Sequence, residues 1–220
     1  MSLKNSLKIS TSALLTLVMV GCATITPTDY IAFKESRPSS ILVLPPINNT
    51  PEVQATYSVL SQSVMPLAES GYYVMPVALV AETFKENGML QPTDMHATSV
   101  EKLRQIFGAD AALYMNVSQY GAVYQVVNSV STVTIEAKLI DLRTGALLWS
   151  GKATANSEEG QSQQKGGLLS LAVAAIVKQV MATTLDQSHQ VAGVASARLL
   201  SAGKPNSLLY GPRSPKYGKD

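Results

Sequence analysis

Apolar and polar positions change period several times along this chain, and each change marks an element. Ile41-Leu-Val-Leu44 is an unbroken apolar run stopped by Pro45-Pro46, which predicts a short strand buried on both faces. Asn48-Asn49-Thr50-Pro51 then predicts a turn. Val53, Tyr57, Leu60, Val64 and Leu67 follow at steps of four and three, the period of one helical face. They predict a helix over Glu52–Ser70 with those side chains inward, kinked near Pro66 and ended by Gly71. Tyr72–Met75 reads as a second strand, and Ala78–Glu86 as a helix stopped at Asn87-Gly88. Thr98 and Glu101 have capping-box spacing, so a further helix opens there with Val100, Leu103 and Ile106-Phe107 inward, and Gly108 ends it.

The middle of the chain alternates with a period of two. Leu113, Met115 and Val117 oppose Tyr114, Asn116 and Ser118 within Ala111–Tyr120. In Val126–Asp141, Val133, Ile135, Ala137 and Leu139 oppose Thr132, Thr134, Glu136 and Lys138. Arg143-Thr144-Gly145 turns the chain into Ala146–Ala155, a β-hairpin. Asn156–Gln164 is polar and reads as a loop. Gly166–Thr184 reads as a helix without charge between Lys165 and Lys178, so it must be buried on several sides, in the domain or against a partner, with membrane contact as the remaining option. Asp186–Leu200 continues as helix, and 204–220 reads as a Pro/Gly-rich basic tail left in solvent. The order of elements predicts one α/β domain over 41–203, a mixed sheet flanked by helices.

The N-terminus carries an address. Lys4 and Lys8 precede Ile9–Val20, an apolar run too short to span a membrane but suited to a secretory signal. It ends in Met19-Val20-Gly21-Cys22, similar to a bacterial lipobox, in which a small residue gives access to a thiol that takes a diacylglyceryl thioether. Residues 1–21 are thus read as a cleaved signal peptide, Cys22 as the lipidation site, and 22–40 as anchor and flexible tether. Its Ser, Thr and Pro content suits a tether reaching at most about 60 Å. Ala23, rather than Asp, follows the cysteine, which favours the outer membrane facing the periplasm.

Composition narrows the chemistry. Cys22 is the single cysteine, which excludes disulfides within the chain and multi-cysteine metal sites. His96 and His189 lie too far apart for metal-ligand spacing along the chain. The net charge of +2 falls to zero once the signal is removed, so nucleic acid is not an expected partner. No Gly-x-Ser-x-Gly elbow, Walker loop or Gly-x-Gly-x-x-Gly occurs, and no cofactor is expected. His96 reads as a solvated turn histidine, His189 as part of a polar helix stretch, and Glu158-Glu159 as a solvated pair. Tyr72, Tyr73, Tyr114 and Tyr120 form the candidate recognition surface, since tyrosine packs while keeping its hydroxyl wet.

Several blocks carry a resemblance. Ile41–Asn48, Pro66–Val77, Phe84-Lys-Glu-Asn-Gly88, Ile106–Tyr114, Leu139–Trp149 and Tyr210-Gly-Pro-Arg213 together resemble a family of uncharacterised bacterial outer-membrane lipoproteins of the meningococcal surface-antigen type. The resemblance implies an α/β domain similar to periplasmic domains of the CsgG-type curli secretion channel and to the N-terminal domain of TolB. It implies no catalytic residues. The function expected is a non-enzymatic accessory or scaffold of an envelope transport or secretion assembly. Its expected partners are the membrane through the lipid anchor and a CsgG-like or other envelope lipoprotein, with self-association as a further option. The alternative is a periplasmic module binding a small envelope ligand, such as a peptidoglycan fragment or glycolipid.

Overall fold

The computed structural model describes residues 28–124, 129–159 and 187–220. The central strand β1 (Ser40–Val43) carries side chains into both layers, Ile41 and Val43 into one and Leu42, with the following Leu44, into the other. Burial on both faces is why this run has no polar alternation. Pro45 and Pro46 have no N–H to give, so the ladder breaks there and resumes as β2 (Ile47–Asn48) on the same neighbour. Helix α2 (Ala55–Glu69) follows a short α1 (Ile31–Ser36), and β3 (Tyr73–Val74) returns parallel to β1. Helices α3 (Val77–Glu86), α4 (Pro92–His96) and α5 (Val100–Phe107) lead into β4 (Ala111–Tyr124), β5 (Ser129–Asp141) and β6 (Leu147–Asn156). The last described helix is α6 (Gln187–Leu200).

The sheet runs β3-β1-β4-β5-β6, with β2 also paired to β4, and is mixed: parallel through β1 and antiparallel from β4 onward. This is the α/β architecture expected from the order of elements. One face is covered by α1, α2, α6 and the C-terminal residues, which bury Phe33, Leu67, Trp149 and Leu208 against Leu113, Ile135 and Leu139. Among the described residues the other is covered over β1 and the start of β4, where Val80, Phe84, Met95 and Leu103 meet Leu42, Leu44 and Ala112. Among the described residues no helix is long and apolar enough to cross a membrane.

Several expectations are corrected. Val53 and Tyr57 face solvent, at 89% and 68% exposure. The inward stripe of α2 is instead Thr56, Val59, Leu60, Ser63 and Leu67, because α6 packs closely enough to favour small residues there. The cap of α5 is Ser99, whose hydroxyl accepts from the Lys102 N–H at 3.3 Å, one residue beyond the Thr98 box. Gly166–Thr184 and Cys22 lie outside the described residues. The tether is shorter than its composition suggests, since α1 buries Phe33 and Ser39 and Ser40 are held by Asp110.

The C-terminal residues are packed rather than left in solvent. The Trp149 indole donates to the Asn206 carbonyl at 2.9 Å, Leu208 is buried, and the Tyr72 hydroxyl donates to the Leu209 carbonyl at 2.6 Å. Gly211 N–H donates to the Ser70 carbonyl and Arg213 N–H to the Gly71 carbonyl. Two glycines make that approach possible: a Cβ at Gly211 would lie 2.5 Å from the Gly71 oxygen, and one at Gly71 2.4 Å from Ser214 N. Thus Pro66–Val77 and Tyr210–Arg213, far apart in sequence, are two sides of one contact.

Two carboxylates fasten α1 and β1 to the end of the sheet. Buried Asp141 accepts from the Ser36 hydroxyl, the Arg143 guanidinium and the N–H groups of Arg143 and Thr144. Asp110 accepts from the N–H and hydroxyl groups of Ser39 and Ser40. Burial alone would raise both carboxyl pKa values, but these hydrogen bonds outweigh it and hold both below the usual range. A carboxyl depressed in the fold stabilises it above the unfolded value of about 3.9, and that stabilisation disappears as pH falls through the folded value. Asp141→Asn is expected to cost about 2–4 kcal/mol, or roughly 5–10 °C of thermal midpoint, at neutral pH. The gap between wild type and variant should narrow as pH falls below about 4. Thermal melts between pH 7 and 3 check this, and a gap independent of pH would show that the charge has no part in the fastening.

Candidate functional site

The half of the sheet left bare by α3–α5 is the floor of an open groove of about 890 Å³. Tyr114, Asn116, Glu136, Lys138, Ser150 and Lys152 line the floor, and Ile47, Asn49 and His96 form one wall. Strand alternation places them there: their neighbours Leu113, Met115, Ile135 and Ala137 point into the covered layer. Lys152 pairs with Glu136 at 2.7 Å, and the Asn49 amide donates to the Asn116 side-chain oxygen at 2.9 Å. Lys138 has no such partner among the described residues and is exposed.

His96 is not a solvated turn residue. It ends α4, is half-buried, and packs edge-on against Tyr114 with ring centroids 5.2 Å apart. A carbonyl can only accept, so the 3.0 Å contact with the Pro45 oxygen places a hydrogen on Nε2 and leaves Nδ1 as an acceptor. Burial lowers the imidazole pKa and the Pro45 bond partly offsets it, so the ring is neutral at neutral pH. Burial also raises the Tyr114 phenol pKa, keeping it a hydrogen-bond donor.

The four tyrosines do not converge. Tyr72 is buried beneath the C-terminal residues, and Tyr73 sits on β3 with the Arg213 guanidinium 5.1 Å above its ring. Tyr114 lines the groove, whereas Tyr120 lies under α2 on the opposite face. A β-bulge between Val117 and Gln119 is the cause, because one extra residue reverses the facing of everything after it. Nothing in the alternation of Ala111–Tyr120 marks that bulge. The groove's polar floor was legible as the outward face of β5, but α4 and β2 as its wall were not.

A second polar cluster lies between α2, α6 and β4. Ser58 Oγ is 2.8 Å from His189 Nδ1 and accepts from the Tyr120 hydroxyl at 2.9 Å, while Gln62 Nε2 is 2.8 Å from His189 Nε2. The amide nitrogen of Gln62 can only donate, so His189 Nε2 accepts and Nδ1 carries the hydrogen toward Ser58. Through these bonds the cluster ties α2 and α6 to β4. Glu159 is likewise engaged, pairing with Arg198 at 2.5 Å and accepting from the Asn156 N–H. Among the described residues no group of three or more His, Cys, Asp or Glu could hold a metal ion.

The edge of the sheet beside the groove is half closed. Arg198 donates to the Thr154 carbonyl, and the Asn156 N–H reaches outward to Glu159. In an antiparallel ladder alternate residues turn both backbone groups the same way, so Lys152 and Ser150 also present N–H and C=O outward. No described residue meets those groups.

The fold defines the class: a single α/β domain whose mixed sheet, among the described residues, is layered fully on one face and partly on the other. The chain belongs to the GNA1162-like lipoprotein family, whose description, "Putative lipoprotein GNA1162-like", matches residues 28–213. It is 48% identical over 185 residues to the lipoprotein NMB1124/NMB1162 of Neisseria meningitidis serogroup B, covering 84% of this chain and 85% of that one. It is also similar to the crystal structure of lipoprotein GNA1162 from Neisseria meningitidis, at 49% identity and a TM-score of 0.54, over 66% of this chain and 100% of that one. The C-terminal domain of LpoB from Salmonella enterica matches at 21% identity and a TM-score of 0.38, over 62% of this chain and 88% of that one, too distant to inform function. The kinship with the CsgG-type channel and TolB is not carried by these matches.

Ser58→Ala is expected to lower stability by about 1–3 kcal/mol, because His189 and Tyr120 lose a shared partner. A fluorophosphonate probe is expected to leave the wild-type serine unlabelled. Labelling that disappears in Ser58→Ala would make the cluster a hydrolytic pair.

Proposed function

We propose that this protein is an outer-membrane lipoprotein, anchored through Cys22 and facing the periplasm, that serves as a non-enzymatic accessory of an envelope assembly. The observation that carries this is the edge of β6 at Ser150 and Lys152, which no described residue meets, beside a sheet face that the described helices leave unlayered. Ser150 and Lys152 offer a partner strand ready backbone bonds, and the groove offers side-chain sockets alongside. Anchoring raises the local concentration of the domain against any partner in the same membrane. The partner class follows from the family resemblance: another envelope lipoprotein, with a CsgG-type channel the leading one. Family membership and the relatives described as lipoproteins support the anchor, and the single cysteine supports its position.

A second reading rests on the groove itself. His96 Nδ1, the Tyr114 hydroxyl and the Lys138 ammonium face one space, donors and acceptors suited to a hydroxyl-rich envelope ligand such as a peptidoglycan fragment or glycolipid.

Photo-crosslinking in cells distinguishes the two readings. A benzophenone amino acid at position 150 or 152 is expected to capture one envelope protein, and the same group at Lys85 on α3 to capture none. Capture at 150 should disappear with Cys22→Ala, which leaves the domain intact but unanchored. Equal capture from all three positions, or none from 150 and 152, would overturn the docking role. In the latter case, saccharide-dependent protection of Lys138 from acetylation would favour the ligand module.

A further inference from the structure

The described chain begins against the start of the C-terminal segment. Thr28 N–H donates to the Asn206 side chain at 3.0 Å, and the Tyr30 hydroxyl to the Ser207 carbonyl at 2.5 Å. Asn206 and Ser207 are in turn held to the domain through Trp149 and the buried Leu208. The chain therefore leaves the domain at one fixed place. Only six residue steps separate Cys22 from Thr28, and covalent geometry limits them to about 20 Å, a third of the reach that a tether to Ser40 would have.

What surrounds that exit is unlike the rest of the surface. Lys34 of α1 and Arg37, its C-cap, line one cleft with Tyr210, Tyr217 and Asp220, and the C-terminal residues beside that cleft also carry Arg213, Lys216 and Lys219. Asp220 accepts from the Tyr210 N–H, so part of its charge is already engaged. Residues 29–37 and 210–220 together hold five cations against three carboxylates, while the remainder of the chain after Gly21 holds ten against twelve. Between α1 and the C-terminal residues lies a cleft of about 420 Å³, with Phe33, Leu209 and Tyr217 on its walls and Lys34 and Arg37 among its lining. Ile31 is 65% exposed and Tyr217 41%. Exposed aliphatic and tyrosine side chains interleaved with lysine and arginine are the composition that settles at a bilayer surface.

We infer that the face formed by α1 and residues 210–219 docks on anionic lipid headgroups of the leaflet that holds the anchor. This rests on Cys22 as the anchored residue. The short exit brings the face within reach of the headgroups, and its cations gain from their negative surface potential within a Debye length. Because this face lies on the covered side of the sheet, docking turns the bare groove away from the bilayer.

Orientation in nanodiscs tests the inference. The processed lipoprotein, its Cys22 acylation verified by mass, is reconstituted in phosphatidylcholine alone or in equal parts with phosphatidylglycerol. Lipidation consumes the Cys22 thiol, so a fluorophore can be placed singly at Pro215→Cys or Glu86→Cys. Energy transfer to a headgroup acceptor is expected to be several-fold greater from position 215 than from 86 when phosphatidylglycerol is present. High salt, or the triple variant Lys34→Glu, Lys216→Glu, Lys219→Glu, is expected to remove that difference, and Gln at the same three positions to reduce it. Equal transfer from both positions in both lipids, or greater transfer from 86, would overturn the inference while leaving the anchor standing. A Cys22 without acyl mass would overturn the anchor itself, and the docking with it.

Discussion

The contact between the Gly71 turn and residues 211–214 is the constraint on which much else depends. It requires two backbones to approach more closely than any pair of side-chain-bearing residues would allow. Once made, it leads the chain back past Tyr72, Leu208 and Trp149 to Asn206, which in turn holds Thr28. The two ends of the described chain are thereby joined, and the direction in which the domain leaves its N-terminal segment is settled by packing.

That arrangement divides the molecule by the plane of its sheet. The covered face carries α1, α2, α6 and the C-terminal residues, and with them the chain exit and the excess of cations. Among the described residues the other face is layered over β1 and the start of β4, and opens into a polar groove over β4–β6. A domain on a long tether could present either face to anything nearby. A domain whose described residues begin six residue steps after Cys22, the anchor proposed above, cannot, so which face the described helices leave unlayered acquires a meaning under that proposal.

The fold was legible to the extent that burial obeys a local period. Ile41–Leu44, the inward faces of β4 as far as Val117, and those of β5 stand as alternation or its absence predicts. Helix α2 was harder because its outward side carries Val53 and Tyr57, while its inward side carries Thr56, Ser58 and Ser63, small enough for α6 to approach. Hydrophobicity alone cannot weigh closeness of packing against area. The bulge at Val117/Gln119 is a long-range choice of register and separated Tyr114 from Tyr120, and with them the expected recognition surface. The C-terminal residues looked like a solvated tail because Pro, Gly and Lys dominate them. Their order comes from backbone hydrogen bonds and two buried anchors, Leu208 and Gly211, which composition does not register.

The edge of β6 shows how the same strand can be guarded and open. At Thr154 and Asn156 the outward backbone groups are engaged by Arg198 and Glu159, themselves an ion pair, so strand addition cannot propagate there. At Ser150 and Lys152 no described residue engages them, and Lys152 is neutralised by Glu136 rather than standing as an isolated charge against an incoming chain. An edge closed along its whole length would serve only against aggregation, and one open along its whole length would invite it. Closing half and leaving Ser150 and Lys152 unengaged by described residues beside a polar groove would limit what can add to a short strand in one register. Such an opening favours a specific partner over indiscriminate self-pairing.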